Sequence, residues 1–167
     1  KFMRCWEMSQ QNKSIHPAQA LNYFQNYAGI YYNSAEYQSC LSAMDSLLEL
    51  KKLYAPNDVF SINNAKITMA SCHQELERFN LALEIYDQVI AEHQAAFGNK
   101  GNTDLEAKIK KIASLAGLGS YDEITALHHQ ISTDINERLG EEDPFHQQNH
   151  IAMAKAMIKL DRFTEAE

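Results

Sequence analysis

The chain has 167 residues, 45% of them hydrophobic and 22% charged, with only six glycines and three prolines. So few chain breakers argue against an all-β sandwich, and the regular recurrence of Leu, Ile, Phe, Tyr and Met argues against disorder. No apolar run approaches the ~20 residues that a membrane-spanning helix needs, and Lys1 to Met8 show no signal-peptide pattern. The net charge of −7, with no Lys/Arg cluster to offset it, opposes binding to a phosphate backbone.

The residues 1–16 carry Cys5 and the triplet Asn12-Lys-Ser14, a glycosylation sequon that recurs by chance and means nothing without secretion. Cys5, Cys40 and Cys72 are odd in number and widely spaced, which fits a reducing, cytoplasmic location and no disulfide framework.

A period of 42 residues governs the rest of the chain. Tyr37, Phe79, Tyr121 and Phe163 stand 42 apart, followed three residues later by Cys40, Ala82, Ile124 and Ala166. Nine residues before each aromatic lie Ala28, Ala70, Ile112 and Ala154. Met44, Tyr86 and His128, then Leu47, Val89 and Ile131, continue the frame.

Within each unit the apolar spacing is helical, as in Leu21, Phe24, Ala28 and Tyr31. The predicted helices run over 17–33 and 35–54, then 58–75 and 78–97, then 104–118 and 121–139, with a last one at 144–159. Pro17 and Pro144 occupy first helical positions, where the missing N–H costs nothing. Thr103 to Glu106 and Ser120 to Glu123 read as capping boxes. Shifting the Met44 and Leu47 columns back by 42 lands on Phe2 and Cys5. The predicted division is therefore a tail of a preceding repeat (1–16), repeats at 17–57, 58–100 and 101–142, and a partial repeat at 143–167, a fragment of a longer array.

A helix pair with a small residue in the first helix, an aromatic at the turn and Ala opening the second resembles the tetratricopeptide (TPR) repeat. Ala70, Glu77-Arg78-Phe79-Asn80-Leu81-Ala82-Leu83 and Leu160-Asp161-Arg162-Phe163-Thr164-Glu165-Ala166-Glu167 carry the resemblance. The 42-residue period is similar to the kinesin-light-chain subtype, as are Leu139 to Pro144 and Ala96-Phe97-Gly98. Ile112 and Ile124 depart from the small residues of the pattern, which predicts wider helix packing in the third unit. The paired asparagines of that subtype reduce here to Gln25-Asn26, with Asn63-Asn64 a turn earlier.

The resemblance implies an all-α, right-handed superhelical solenoid of antiparallel helix pairs, whose first helices line a concave groove for an extended peptide or a partner's helix. It places Asn22, Gln25, Gly29, Tyr32 and Asn33 of the first unit on that groove. Asn64, Ile67, Ser71, Gln74 and Glu75 follow in the second, Glu106, Ile109, Ala113 and Ala116 in the third, and Gln148, Ile151, Lys155, Ile158 and Lys159 in the fourth. Amides suit peptide recognition because each offers a donor and an acceptor without charge. Lys155 and Lys159 form a basic end. The Lys/Asn carboxylate clamp of TPR co-chaperones is absent from the first two units.

Phe24, Tyr27 and Tyr31 follow the core stripe, which leaves Tyr23 and Tyr32 for groove contact. His146 and His150 have a spacing that lets two imidazoles share a metal, with His128 and His129 as neighbours, but no Glu follows His146 and a solvated face is the reading. Cys40 and Cys72 sit in apolar columns, and no nucleophile motif, phosphate loop or dinucleotide fingerprint is present. The expectation is a non-catalytic protein–protein interaction module with no cofactor and no metal. It has a protein or peptide partner and neither binds nucleic acid nor enters a membrane. A sensory or regulatory region controlling a fused output domain is the alternative, and self-association through exposed end faces the third reading.

Overall fold

The computed structural model describes residues 17–160, which form seven helices: α1 (Pro17–Asn33), α2 (Tyr37–Tyr54), α3 (Val59–Glu75), α4 (Phe79–Phe97), α5 (Thr103–Gly117), α6 (Tyr121–Arg138) and α7 (Pro144–Lys159). The tail at 1–16 and the column positions Phe163 and Ala166 lie outside the described residues. Within the described residues no strand is present, and the helix limits match the 42-residue frame closely. The chain divides into two units, 1–58 and 59–167.

In the first unit α1 packs against α2. Ala20, Phe24 and Ala28 meet the apolar face of α2, which buries Cys40, Leu41, Met44, Leu47 and Leu50. In the second unit α3 pairs with α4, α4 with α5, α5 with α6, and α7 with both α5 and α6. Two apolar clusters run through it. One joins Ile67, Ala70, Ala82, Tyr86 and Val89 to Ala107, and the other gathers Leu105, Ile112, Leu115, Ile124, Ile131, Ile135, Ala156 and Met157. The small-residue column is sealed at Ala28, Ala70 and Ile112, whereas Ala154 is half-buried. Ile112 and Ile124, the two departures from the pattern, are completely buried.

Each pair is closed by the same three-residue turn. The amides of Glu36, Arg78 and Ser120 donate to the carbonyls of Tyr31, His73 and Leu115, five residues back, at 2.8, 2.9 and 3.1 Å. This ties off the C-terminal carbonyls of the first helix. It demands a left-handed residue at the centre, and that residue is Ala35 (φ 58°), Glu77 (φ 57°) and Gly119 (φ 75°), again 42 apart. Only the third is a glycine, which takes this conformation without a Cβ clash.

The turn also decides which cap signals work. Ser120 precedes α6 with φ −83° and ψ 66°, and its side chain makes no cap hydrogen bond. Thr103 is the first residue of α5 and not its cap, and Asn102 before it makes no side-chain cap bond. Neither expected capping box forms. Asp143 differs: its extended backbone (φ −68°, ψ 137°) lets the carboxylate accept from Phe145 N at 2.9 Å, with Pro144 at the first helical position as predicted.

Candidate functional site

The first helices of the second unit, α3, α5 and α7, lie side by side, and a cavity of about 230 Å³ opens among them. Gln74 and Glu75 of α3 line it with Glu77 of the turn and Phe79 at the start of α4. Ala113 and Ala116 of α5 and Lys155, Ala156 and Lys159 of α7 complete it. Gln74, Lys155 and Lys159 were expected on a binding groove from sequence, as were Glu75, Ala113 and Ala116.

Phe79 forms an aromatic wall, and two features hold it there. Lys159 Nζ stands 4.7 Å from the ring centroid, a cation–π distance. Gly117 leaves room for the ring, since a Cβ at that position would stand 2.4 Å from Phe79 Cζ. Behind the cavity Ser114 Oγ donates to Gln74 Oε1 at 2.9 Å, which fixes the amide across the α3–α5 seam and leaves its NH₂ as a donor. Lysines on α7 face a rim that carries Glu75 and Glu77, so the site offers both signs of charge around small apolar side chains.

The remaining expected residues divide between surface and core. Asn22, Gln25 and Asn33 of α1 are exposed, and Tyr32 is half-buried with its ring edge-on to Tyr37 at 5.6 Å between centroids. Asn64 is half-buried, and Gln148 is exposed. Ile67 and Ser71 are turned inward, at 4% and 6% exposure. Ile67 belongs to the core cluster and Ser71 Oγ lies 3.2 Å from Tyr86 Oη. Ile109 is likewise core, whereas Ile151 and Ile158 are 45% and 52% exposed. The groove offsets thus give surface positions in α1 and α7 but core positions in the middle of α3 and α5, where helices press from both sides.

Similarity to known proteins is structural. A crystal structure of nearly identical TPR-like repeats, assigned to a Podosopora anserina kinesin light chain, superposes with a TM-score of 0.70, covering 95% of this chain and 76% of the other at 17% identity. The fold is that of TPR-like repeats. No protein-family model matches the sequence, and no curated protein matches it.

Sequence reasoning missed the second polar feature of the unit. Asp104, completely buried in the first turn of α5, accepts from Arg138 Nη1 and Nη2 at 2.7 and 2.9 Å and from Gln94 Nε2 at 3.1 Å. Lys108 Nζ lies 3.7 Å away, and His93 Nε2 lies 3.4 Å from Oδ1 outside hydrogen-bonding geometry. Arg138 Nη2 also donates to the Gly101 carbonyl. Burial pushes the Asp104 carboxyl upward, but the Arg138 hydrogen bonds and charge, with Lys108 and His93, outweigh it and hold the group below its ordinary value. This network fastens α4, α5 and α6 together and lies away from the cavity. No helix among the described residues is long and apolar enough to cross a membrane, and none of their His, Cys, Asp and Glu residues forms a group of three arranged to hold a metal ion.

Proposed function

We propose that the chain is a non-catalytic interaction module that holds an extended peptide segment, or one face of a partner's helix, against the first helices of its TPR-like repeats. One observation carries the reading. Gln74, Lys155 and Lys159, distant in sequence, converge with Glu75, Phe79, Ala113 and Ala116 on one open cavity. Its volume accommodates a single large side chain, with amide and charged groups around it for a peptide backbone. In the first unit, considered by itself, Asn22, Gln25 and Asn33 of α1 are exposed amides.

The experiment is selection of a random-peptide display library on the whole chain, with binding then measured on Gln74→Ala/Lys155→Glu. Lys155 is exposed and Gln74 half-buried, and circular dichroism verifies that the variant keeps its helical fold. Peptides that bind the wild type and lose about tenfold or more in affinity on the variant support the assignment. Peptides that bind both equally place recognition elsewhere and overturn it.

A further inference from the structure

The seam between α6 and α7 gathers four histidines. His128 and His129 come from α6, and His146 and His150 from α7. The centroids of His128 and His150 are 5.2 Å apart across the seam, those of His128 and His129 5.9 Å, and those of His146 and His150 6.5 Å. Nδ1 of His128 and Nε2 of His146 are buried with no hydrogen-bond partner among the described residues. Asn149, completely buried beside them, gives its Nδ2 to the His128 carbonyl and Ser132 Oγ, both at 3.0 Å, and its Oδ1 has no partner among those residues.

Asp122, Glu123, Asp134 and Glu137 of α6, and Glu141 and Glu142 before α7, form no ion pair with these rings, and the other nearby charges are paired with one another. Helix α5 packs against both α6 and α7, but its Asp104 is held by Arg138, its Glu106 faces Lys110, and its Lys108 and Lys111 pair with Asp134 and Asp87. On α6 the nearest titratable neighbour of His128 is His129, and on α7 it is His150. Asp143, one turn before His146, uses its carboxylate on the α7 cap. Among the described residues no carboxylate lies within ion-pair distance of any of the four rings.

We infer that this cluster is a proton-operated latch, closed while the His128 imidazole is neutral and loosened once that ring must carry charge beside His150 and His129 at the α6–α7 seam. His128 already resists protonation in the fold, through burial first and then the neighbouring His150 and His129, with Asn149 opposing. The unfolded chain takes up that proton as pH falls through the ordinary value of 6.5, while the folded chain does not. The seam therefore holds fully above 6.5 and loses stability as pH drops below it, until the folded state is protonated too. Helix α7 carries Lys155, Ala156 and Lys159, so an acid-loosened seam withdraws one wall of the cavity; that consequence rests on the binding reading above.

The test uses no ligand, so its failure is distinct from failure of the groove assignment. Backbone hydrogen exchange of the whole chain is monitored by mass spectrometry at pH 7.5 and 5.5, corrected for intrinsic exchange rates, in wild type and in His146→Gln/His150→Gln. The expected result is about tenfold faster exchange in α7 at the lower pH with α4 unchanged, and most of that acceleration lost in the variant. Equal α7 protection at both pH values, or a variant that loosens as much as the wild type, overturns the proposal. If the double variant folds poorly, the exposed His150→Gln alone is titrated by NMR. The His128 ring then titrates at higher pH than in wild type, and an unmoved titration overturns the latch.

Discussion

Lys108 and Asp134, 26 residues apart, form a 2.6 Å ion pair between α5 and α6, and Lys66 and Glu92 make the same bridge at 2.7 Å between α3 and α4. Both lysines and both carboxylates stand 42 residues apart, so the repeat extends from apolar columns to a cross-helix charge pair. In the first unit the two columns hold Phe24 and Leu50, both buried. The same structural position thus accepts an ion pair or apolar side chains.

The two bridges differ in burial, and the difference sets their worth. The Lys108 and Asp134 side chains are 9% and 25% exposed, and Lys108 has Asp104 as its other neighbour, whereas those of Lys66 and Glu92 are 16% and 35% exposed. Asp134→Ala is expected to lower stability by about 1–3 kcal/mol, because a nearly buried ammonium loses its close partner. Glu92→Ala should cost less, about 1 kcal/mol, as solvent reaches and screens the more open of the two pairs. Urea unfolding of the two variants checks the order, and equal losses would refute it.

Asp104 is the charge on which the α4–α5–α6 junction depends. Asp104→Asn leaves Arg138 buried without its carboxylate and should cost about 3 kcal/mol or more. Because the folded group titrates below its ordinary value of 3.8, its contribution is complete above that pH and is lost as pH falls beneath it. Acid titration of stability should therefore be steeper below 3.8 in the wild type than in Asp104→Asn. Parallel curves would show that the network carries no such linkage.

The turn position shared by Ala35, Glu77 and Gly119 tolerates a side chain only at the expense of backbone strain. Glu77→Gly is expected to raise stability by up to about 1 kcal/mol, since relief of the left-handed penalty exceeds the added chain entropy. Gly119→Ala should lower it by about 1 kcal/mol. Thermal melting of both variants reads the two signs, and a destabilised Glu77→Gly would contradict the argument.

Asn63 is completely buried, and neither amide atom finds a hydrogen-bond partner among the described residues. The equivalent positions 42 residues away on either side are Leu21 and Leu105. Asn63→Leu should stabilise the chain by about 1–2 kcal/mol by removing an uncompensated polar burial. A loss of stability on that substitution would refute the argument.

The helix frame was legible in the sequence because it rests on local repetition. Tyr37, Phe79 and Tyr121 each open a second helix, and Pro144 opens α7. Ser120 misled because cap propensity depends on backbone dihedrals, and the tight turn before α6 holds ψ near 66° where an extended conformation is required. The offsets along the repeat pick out Gln74, Lys155 and Lys159, which line one cavity, but equally Ile67 and Ser71, which are core, since the offset is blind to how closely α3 is packed by its neighbours. Asp104 gave no periodic signal: the positions 42 residues away hold Ile62 and His146, so only the folded chain brings it to Arg138.

The unequal burial of the two lysine bridges makes the second unit unevenly sensitive to salt. Mobile ions reach the half-open Lys66–Glu92 pair and weaken it over the ~8 Å screening length of physiological solutions, whereas the enclosed charges around Asp104 exclude them. Rising ionic strength therefore softens the α3–α4 pair before the α5–α6 pair, so the surroundings of the protein set which end of the unit yields first.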